Sequence, residues 1–181
     1  MRSGPVKNDK EAYEFMRDHL KNQDQKAMDD EGSSCQYRTG DYGYPTLKCA
    51  VGSLISETYY EWNLEDSMID EDGPVYTAVS KSNPDWDIDE DSVGMLLAMQ
   101  RFHDEVNVGD WEWLFEVVEQ AIEEFGFDKV MYRQGYFRSA LYAMVSMTQH
   151  NLFSGDTRLR EWNFSEVTLD WFKDKKEMAK A

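Results

Sequence analysis

Gly109-Asp110-Trp111-Glu112-Trp113-Leu114-Phe115-Glu116-Val117-Val118-Glu119-Gln120-Ala121-Ile122-Glu123-Glu124-Phe125-Gly126 is the stretch from which the fold class of this chain is read. Trp111, Leu114, Phe115, Val118, Ala121, Ile122 and Phe125 recur at three- and four-residue intervals, which puts them on one face of an α-helix. Gly126 supplies the residue type that ends helices. Glu112, Glu116, Glu119 and Glu123 follow the same periodicity on the opposite face, and no Lys or Arg stands between Trp111 and Phe125.

Working outward, the same two signals recur. Asn8 followed by Glu11 has the form of a capping box, with Ala12, Met16, Leu20 and Ala27 as an apolar stripe and Gly32 as its end. Ser56 is placed to cap a short helix over residues 57–62, and Asp89 one with Val93, Leu96, Leu97 and Gln100 on one face. Beyond the central helix, Phe137, Ala140, Leu141, Met144, Val145 and Thr148 form a further stripe. Val167, Trp171, Phe172 and Met178, after Ser165, form the last. Between residues 35 and 51 the texture changes. Tyr37, Thr39, Tyr42, Tyr44 and Thr46 favour extended backbone around a Gly40-Asp41-Tyr42-Gly43 turn, so a β-hairpin is expected, with Cys35 and Cys49 on its opposite strands. Residues 63–90 read as the least regular part, with turn signals at Asp70-Glu71-Asp72-Gly73-Pro74 and Ser82-Asn83-Pro84-Asp85. The expectation is a mainly α protein with one small β-hairpin (α+β), a single compact domain of about six helices. Its core spans residues 1–127, with a helical extension over residues 128–181 packed on it.

The 181 residues are 41% hydrophobic and 14% aromatic, enough to build a core and to exclude the wholly disordered class. Against that ordinary composition the formal net charge is −17. The excess is local. Residues 1–56 carry nine acids and eight bases, and residues 129–181 carry six acids and nine bases. Residues 57–128 carry 21 acids against two bases, Lys81 and Arg101. Such a block repels phosphate backbones and anionic lipid, so direct binding of nucleic acid or membrane is disfavoured. The amino-terminal residues lack the apolar run of a signal peptide, and two cysteines are too few for a secreted disulfide scaffold. The expected location is the cytoplasm.

Several residue runs carry a resemblance. Asp29-Asp30-Glu31-Gly32, Cys35-Gln36-Tyr37-Arg38 and Lys48-Cys49-Ala50-Val51-Gly52-Ser53-Leu54-Ile55 precede Tyr59 and Tyr60. They are followed by Leu97-Ala98-Met99-Gln100-Arg101-Phe102-His103-Asp104 and then by Trp111 and its amphipathic helix. Together these resemble a group of small uncharacterised phage and bacterial proteins over residues 25–127. The resemblance implies a phage or mobile-element setting and a shared small scaffold; it implies no activity. The spacer between Tyr60 and Val93 looks longer and more acidic than is usual in that group, and it coincides with the charge block.

Four constellations are candidates for function. The first is an acidic face that imitates nucleic acid, formed by Glu112, Glu116, Glu119 and Glu123 with Asp70, Glu71, Asp72, Asp85, Asp87, Asp89, Glu90 and Asp91. Its partner would be a host or defence-system protein with a basic nucleic-acid-binding groove, which makes the chain a phage-type inhibitor. The bland alternative is a solvated helix face with acidic loops. The second is calcium: Asp85-Trp86-Asp87-Ile88-Asp89 has the one-three-five spacing of an EF-hand. Glu90 stands where that loop needs Gly, however, and Leu96 where it needs Glu. The third is a small hydrolase using Cys49 as nucleophile or the His103-Asp104 pair, against which stands simple packing of both. The fourth is the carboxy-terminal third, where Trp162, Phe164, Trp171 and Phe172 lie among Arg158, Arg160, Lys173, Lys175 and Lys176. These suggest nucleic-acid stacking or the lining of a signalling-nucleotide pocket, against which stands the favoured reading of packing, with the segment docked on the acidic part or dimerising. No cofactor and no resident metal are expected, since two Cys and three His show no close ligand pairing.

Overall fold

The structure, a computed structural model, describes residues 5–132 apart from 30, 33, 41–45 and 66. The chain divides into two units between Val108 and Gly109. It is mainly helical in the described residues: α1 (Asp9–Gln23), α2 (Pro74–Ser82), α3 (Glu90–Glu105), α4 (Trp111–Phe125) and a five-residue α5 (Phe127–Met131). Short 3-10 turns lie at Val51–Leu54, Trp62–Leu64 and Val108–Asp110. The stripes expected at 137–148 and 165–178 lie outside the described residues. No helix among the described residues is long and apolar enough to cross a membrane.

In the first unit, α1 starts where its cap predicts. The Asn8 side chain accepts from the Glu11 N–H, and the Glu11 carboxylate reaches back to the N–H of Lys7 at 2.9 Å. It ends earlier than expected, at Gln23, because Asp24 takes a left-handed conformation (φ 50°) and donates its N–H to the Leu20 carbonyl. Ala27 is buried all the same, carried by the extended segment beyond the helix. α1 packs on α3 and on the Val51–Leu54 turn, which α2 and α3 also touch. This turn is the hub of the unit: Cys49, Ala50 and Val51 are wholly buried.

Two isolated antiparallel bridges stand where the hairpin was expected, Met28 with Cys35 and Arg38 with Lys48. Around the second, Thr39 N–H donates to the Leu47 carbonyl (2.8 Å) and Cys49 N–H to the Tyr37 carbonyl (3.2 Å). Residues 37–39 and 47–49 are thus paired antiparallel, but no strand is formed among the described residues. Cys35 pairs with Met28 and not across the expected turn, and residues 41–45 lie outside the described ones. The helix expected over residues 57–62 is replaced by a turn, in which the N–H groups of Tyr59 and Tyr60 both donate to the Ser56 carbonyl. The helix in this region lies later, in the stretch that read as irregular. Pro74 occupies the first turn of α2, where its missing N–H costs nothing, so Gly73-Pro74 is a helix start rather than a loop.

Buried polar groups join these elements. Asn83 is almost wholly buried at the end of α2; its carbonyl accepts from Val6 N–H (3.0 Å) and its amide donates to the Leu54 (3.1 Å) and Val79 (2.8 Å) carbonyls. Asp9 accepts from the Trp86 indole N–H (2.6 Å) and from the Ser92 hydroxyl (2.8 Å), linking the starts of α1 and α3. α3 itself is capped reciprocally by Asp89 and Ser92.

In the second unit, α4 is the amphipathic helix read from the sequence. Trp111, Leu114, Phe115, Val118 and Ala121 are buried, and Gly126 ends it at φ 87°. α4 packs on α5, whose Val130 and Met131 are buried.

Candidate functional site

The cluster richest in reactive side chains is built from α3 and the Met28–Cys35 bridge. The Leu-x-x-Gln-x-x-His-Asp run places Gln100, His103 and Asp104 on one face of α3, three and four residues apart. Asp104 Oδ1 accepts from Gln100 Nε2 and from His103 Nδ1, both at 2.9 Å. Its main-chain carbonyl accepts from Lys26 Nζ at 2.6 Å. The Cys35 sulfur lies beside them, with its thiol 3.3 Å from Met28 Sδ. One ligand atom from each of Cys35, His103 and Asp104 falls within 4.8 Å of the others.

The set fails as a metal centre on hydrogen-bond grounds. The Ala27 backbone N–H donates to His103 Nε2 at 3.1 Å, which uses that nitrogen's lone pair and leaves the ring proton on Nδ1, facing Asp104. A metal would have to displace either a backbone donor or the Asp104 hydrogen bond. His103 is wholly buried and satisfied at both nitrogens, the behaviour of a core histidine that ties the 27–28 segment to α3.

The thiols fit the same reading. Burial, reinforced by the negative charge of Asp104 and a hydrogen bond to it, pushes the Cys35 thiol up to about 12. Burial also pushes Cys49 up, although the Gly52 N–H donates to its sulfur at 3.2 Å and pulls the other way. Neither thiol is ionised near neutrality, the condition for nucleophilic attack. Both cysteines are reduced. Ellman's reagent at pH 8 is therefore expected to titrate the two thiols of native protein roughly tenfold or more slowly than those of urea-unfolded protein. A fast native thiol would overturn this.

Asp85 lies in the turn that Trp86 N–H closes onto the Asn83 carbonyl (3.0 Å), and Asp89 is extended (φ −103°, ψ −174°). Trp86 and Ile88 are buried between the exposed Asp85, Asp87 and Asp89. The one-three-five spacing is thus the two-residue alternation of a half-buried segment, acids out and apolar residues in. Among the described residues these carboxylates form no cluster able to hold a cation.

The acids chosen from the sequence are at the surface. Asp70, Glu71, Asp72, Asp85, Asp87, Asp89, Glu90 and Asp91 are all exposed in the first unit. In the second, Glu112, Glu116 and Glu123 are exposed and Glu119 is half-buried. Among the described residues, none of Asp70, Glu71, Asp72, Asp85, Asp87, Glu90 and Asp91 has an ion-pair partner. Among the bases of the first unit, Arg38 and Lys48 both hold Glu57 and Arg17 holds Asp18.

Helix geometry divides these acids into two kinds. Asp70 to Asp72 immediately precede α2, and Asp85 to Asp91 run into the start of α3, where the helix dipole favours negative charge. Glu123 lies in the last turn of α4, where the dipole disfavours negative charge, and Glu116 stands mid-helix among like-charged neighbours three and four residues away.

Sequence reading missed three residues that shape this surface. Glu65 accepts from the consecutive N–H groups of Tyr37 (2.7 Å) and Arg38 (3.1 Å) and from the Tyr60 hydroxyl (2.6 Å), which fixes the 57–65 loop on the bridge. Trp62 and Met68 are exposed, although their residue types predict burial. No local sequence signal distinguishes these three. No known protein family, curated protein or solved structure matches the chain.

Proposed function

We propose that this protein is a non-enzymatic inhibitor whose acidic surface occupies a basic, nucleic-acid-binding groove on another protein. The observation that carries the reading is the α4 stripe. Acids at the start of a helix stabilise it and need no further reason. Glu116 and Glu123 are exposed on α4, no base occurs anywhere along that helix, and Glu123 stands in its last turn, where the dipole disfavours it. In the first unit, the exposed Asp70, Glu71, Asp72, Asp85, Asp87, Glu90 and Asp91, with no ion-pair partner among the described residues, give an acidic surface of that unit's own. Complementary Lys and Arg on the partner would then provide most of the attraction and speed the encounter, with both falling as salt rises. The phage or mobile-element setting implied by the sequence resemblance is consistent with a target in a host enzyme or a defence complex.

The test couples binding to stability. A variant with Glu116→Gln and Glu123→Gln is expected to gain about 0.5–1 kcal/mol in unfolding free energy, by relief of repulsion and, at Glu123, of the unfavourable dipole. The same variant is expected to lose most of its capture of basic proteins from lysate at low salt. Proteins captured by the unaltered chain should elute with salt and with a short DNA duplex. Capture that neither DNA nor salt reverses, or a variant that binds as well as the parent, would sink the reading.

A further inference from the structure

Tyr59, Trp62 and Met68 are the large apolar side chains exposed among the described residues, at 40, 65 and 77% of their surface, and all three fall in one short segment. That segment is held in place. Ser56 N–H donates to Ser82 Oγ (2.9 Å), Tyr37 Oη donates to the Ser67 carbonyl (3.0 Å), and Leu64 and Ile69 are buried beneath it. The Tyr60 ring meets Trp62 edge-on, with centroids 6.2 Å apart. Tyr60 is itself fixed by its hydrogen bond to Glu65 and by the Arg38 guanidinium, 5.1 Å from its ring centroid. The indole therefore stands out from a braced loop. A tryptophan presented on such a loop has paid little conformational entropy still to be lost on binding, which is how interface anchors gain affinity.

We infer that residues 57–69 form a docking site, anchored on Trp62 and flanked by Tyr59 and Met68, for a cationic protein surface that contains an apolar pocket. The sign of the partner comes from the rim: Glu61, Asp70, Glu71 and Asp72 are exposed beside the anchors in sequence, no Lys or Arg occurs from residue 57 to residue 80, and the nearby Arg38 and Lys48 are taken up by Glu57. That rim repels anionic lipid, and in a symmetric contact between two copies it would face itself. The inference rests on the acidic-surface reading for the partner's charge alone. It adds a salt-resistant, shape-selective contact that imitation of phosphates does not provide.

The experiment uses the full chain and two synthetic helical peptides of equal positive charge, one built of Lys and Leu and the other of Lys and Ser, at low and at physiological salt. The Lys/Leu peptide is expected to bind about tenfold more tightly, and Trp62→Ser to remove most of that difference while leaving Lys/Ser binding unchanged. Thermal unfolding checks that the variant is folded, and Met68→Ser, as exposed as Trp62, supplies a second variant. If both peptides bind equally, or if both variants keep the preference, the docking site is overturned and the acidic-surface reading stands. If neither peptide binds at low salt, both readings fall. Trp62-dependent binding to phosphatidylserine vesicles, or Trp62-dependent self-association in sedimentation, would assign the patch to another occupant and overturn the inference.

Discussion

Gly52→Ala is expected to cost about 3 kcal/mol or more in unfolding free energy, the largest effect of any single-methyl change in the first unit. A Cβ at Gly52 would run into the carbonyl of Tyr37, and the atoms it meets are backbone. That carbonyl accepts the hydrogen bond from Cys49 N–H, so it cannot move aside without opening the Arg38–Lys48 bridge. Gly52 N–H is itself committed to the Cys49 sulfur and its carbonyl to Ile55 N–H. The internal control is Gly94, inside α3, where an added Cβ meets nothing within 4 Å. Gly94→Ala is expected to stabilise by about 0.5–1 kcal/mol through helix propensity. Urea unfolding of the two variants should move the midpoint in opposite directions. If Gly52→Ala unfolded with the parent, the close approach of the Val51–Leu54 turn to the bridge would be wrong.

His103→Ala is expected to lower stability by about 2–4 kcal/mol, since it empties a fully buried site and leaves the Ala27 N–H without its acceptor. Asp104→Asn should cost less, about 1 kcal/mol, because its amide oxygen still accepts from Gln100 or His103. This ordering separates a histidine that holds the fold from one that performs chemistry. A metal-binding or catalytic His103 would give the opposite pattern, a variant as stable as the parent together with loss of zinc uptake in equilibrium dialysis. Zinc bound stoichiometrically by the parent and lost in a stable His103→Ala variant would reinstate the metal reading.

Gly52 and His103 belong to the Lys48–Ile55 and Leu97–Asp104 runs, and the structure gives both a scaffold role. In the Lys48-Cys49-Ala50-Val51-Gly52 run, three residues are wholly buried and Gly52 allows the backbone approach. The Lys48 main chain is held through its N–H by Gln23 (2.9 Å) and through its carbonyl by His19 (3.1 Å) and Gln23 (2.9 Å). The Gln100, His103 and Asp104 set joins α3 to the Met28–Cys35 bridge. The candidate functional surface therefore lies outside the motifs, on the acidic residues and on Trp62.

Much of this was legible locally. The caps at Asn8 and Asp89 and the face of α4 depend on contacts three or four residues apart, so their signals are complete within a single helix. Of the face read for α3, by contrast, Val93 and Leu96 are buried and Leu97 and Gln100 only half-buried, because α3 is covered on more than one side, with Met95, Ala98, Met99 and Phe102 buried too. α2 was missed because Gly73-Pro74 fits a turn and a helix start equally well by residue type. The end of α1 was misplaced because Asp24, not Gly32, takes the left-handed position, which a short polar side chain tolerates.

By itself the sequence determined the helical character of the described chain, the start of α3, the whole of α4, and the concentration of negative charge in residues 57–128. Periodicity and charge are properties of neighbouring residues, and neighbours are what a sequence displays. Only the tertiary structure decided that His103 is a buried strut for Ala27, 76 positions away, that Gly52 must stay bare against Tyr37, and that Trp62 faces outward from a loop fixed by Glu65. Each of those outcomes depends on which distant backbone group arrives beside the side chain, and spacing along the chain does not encode that.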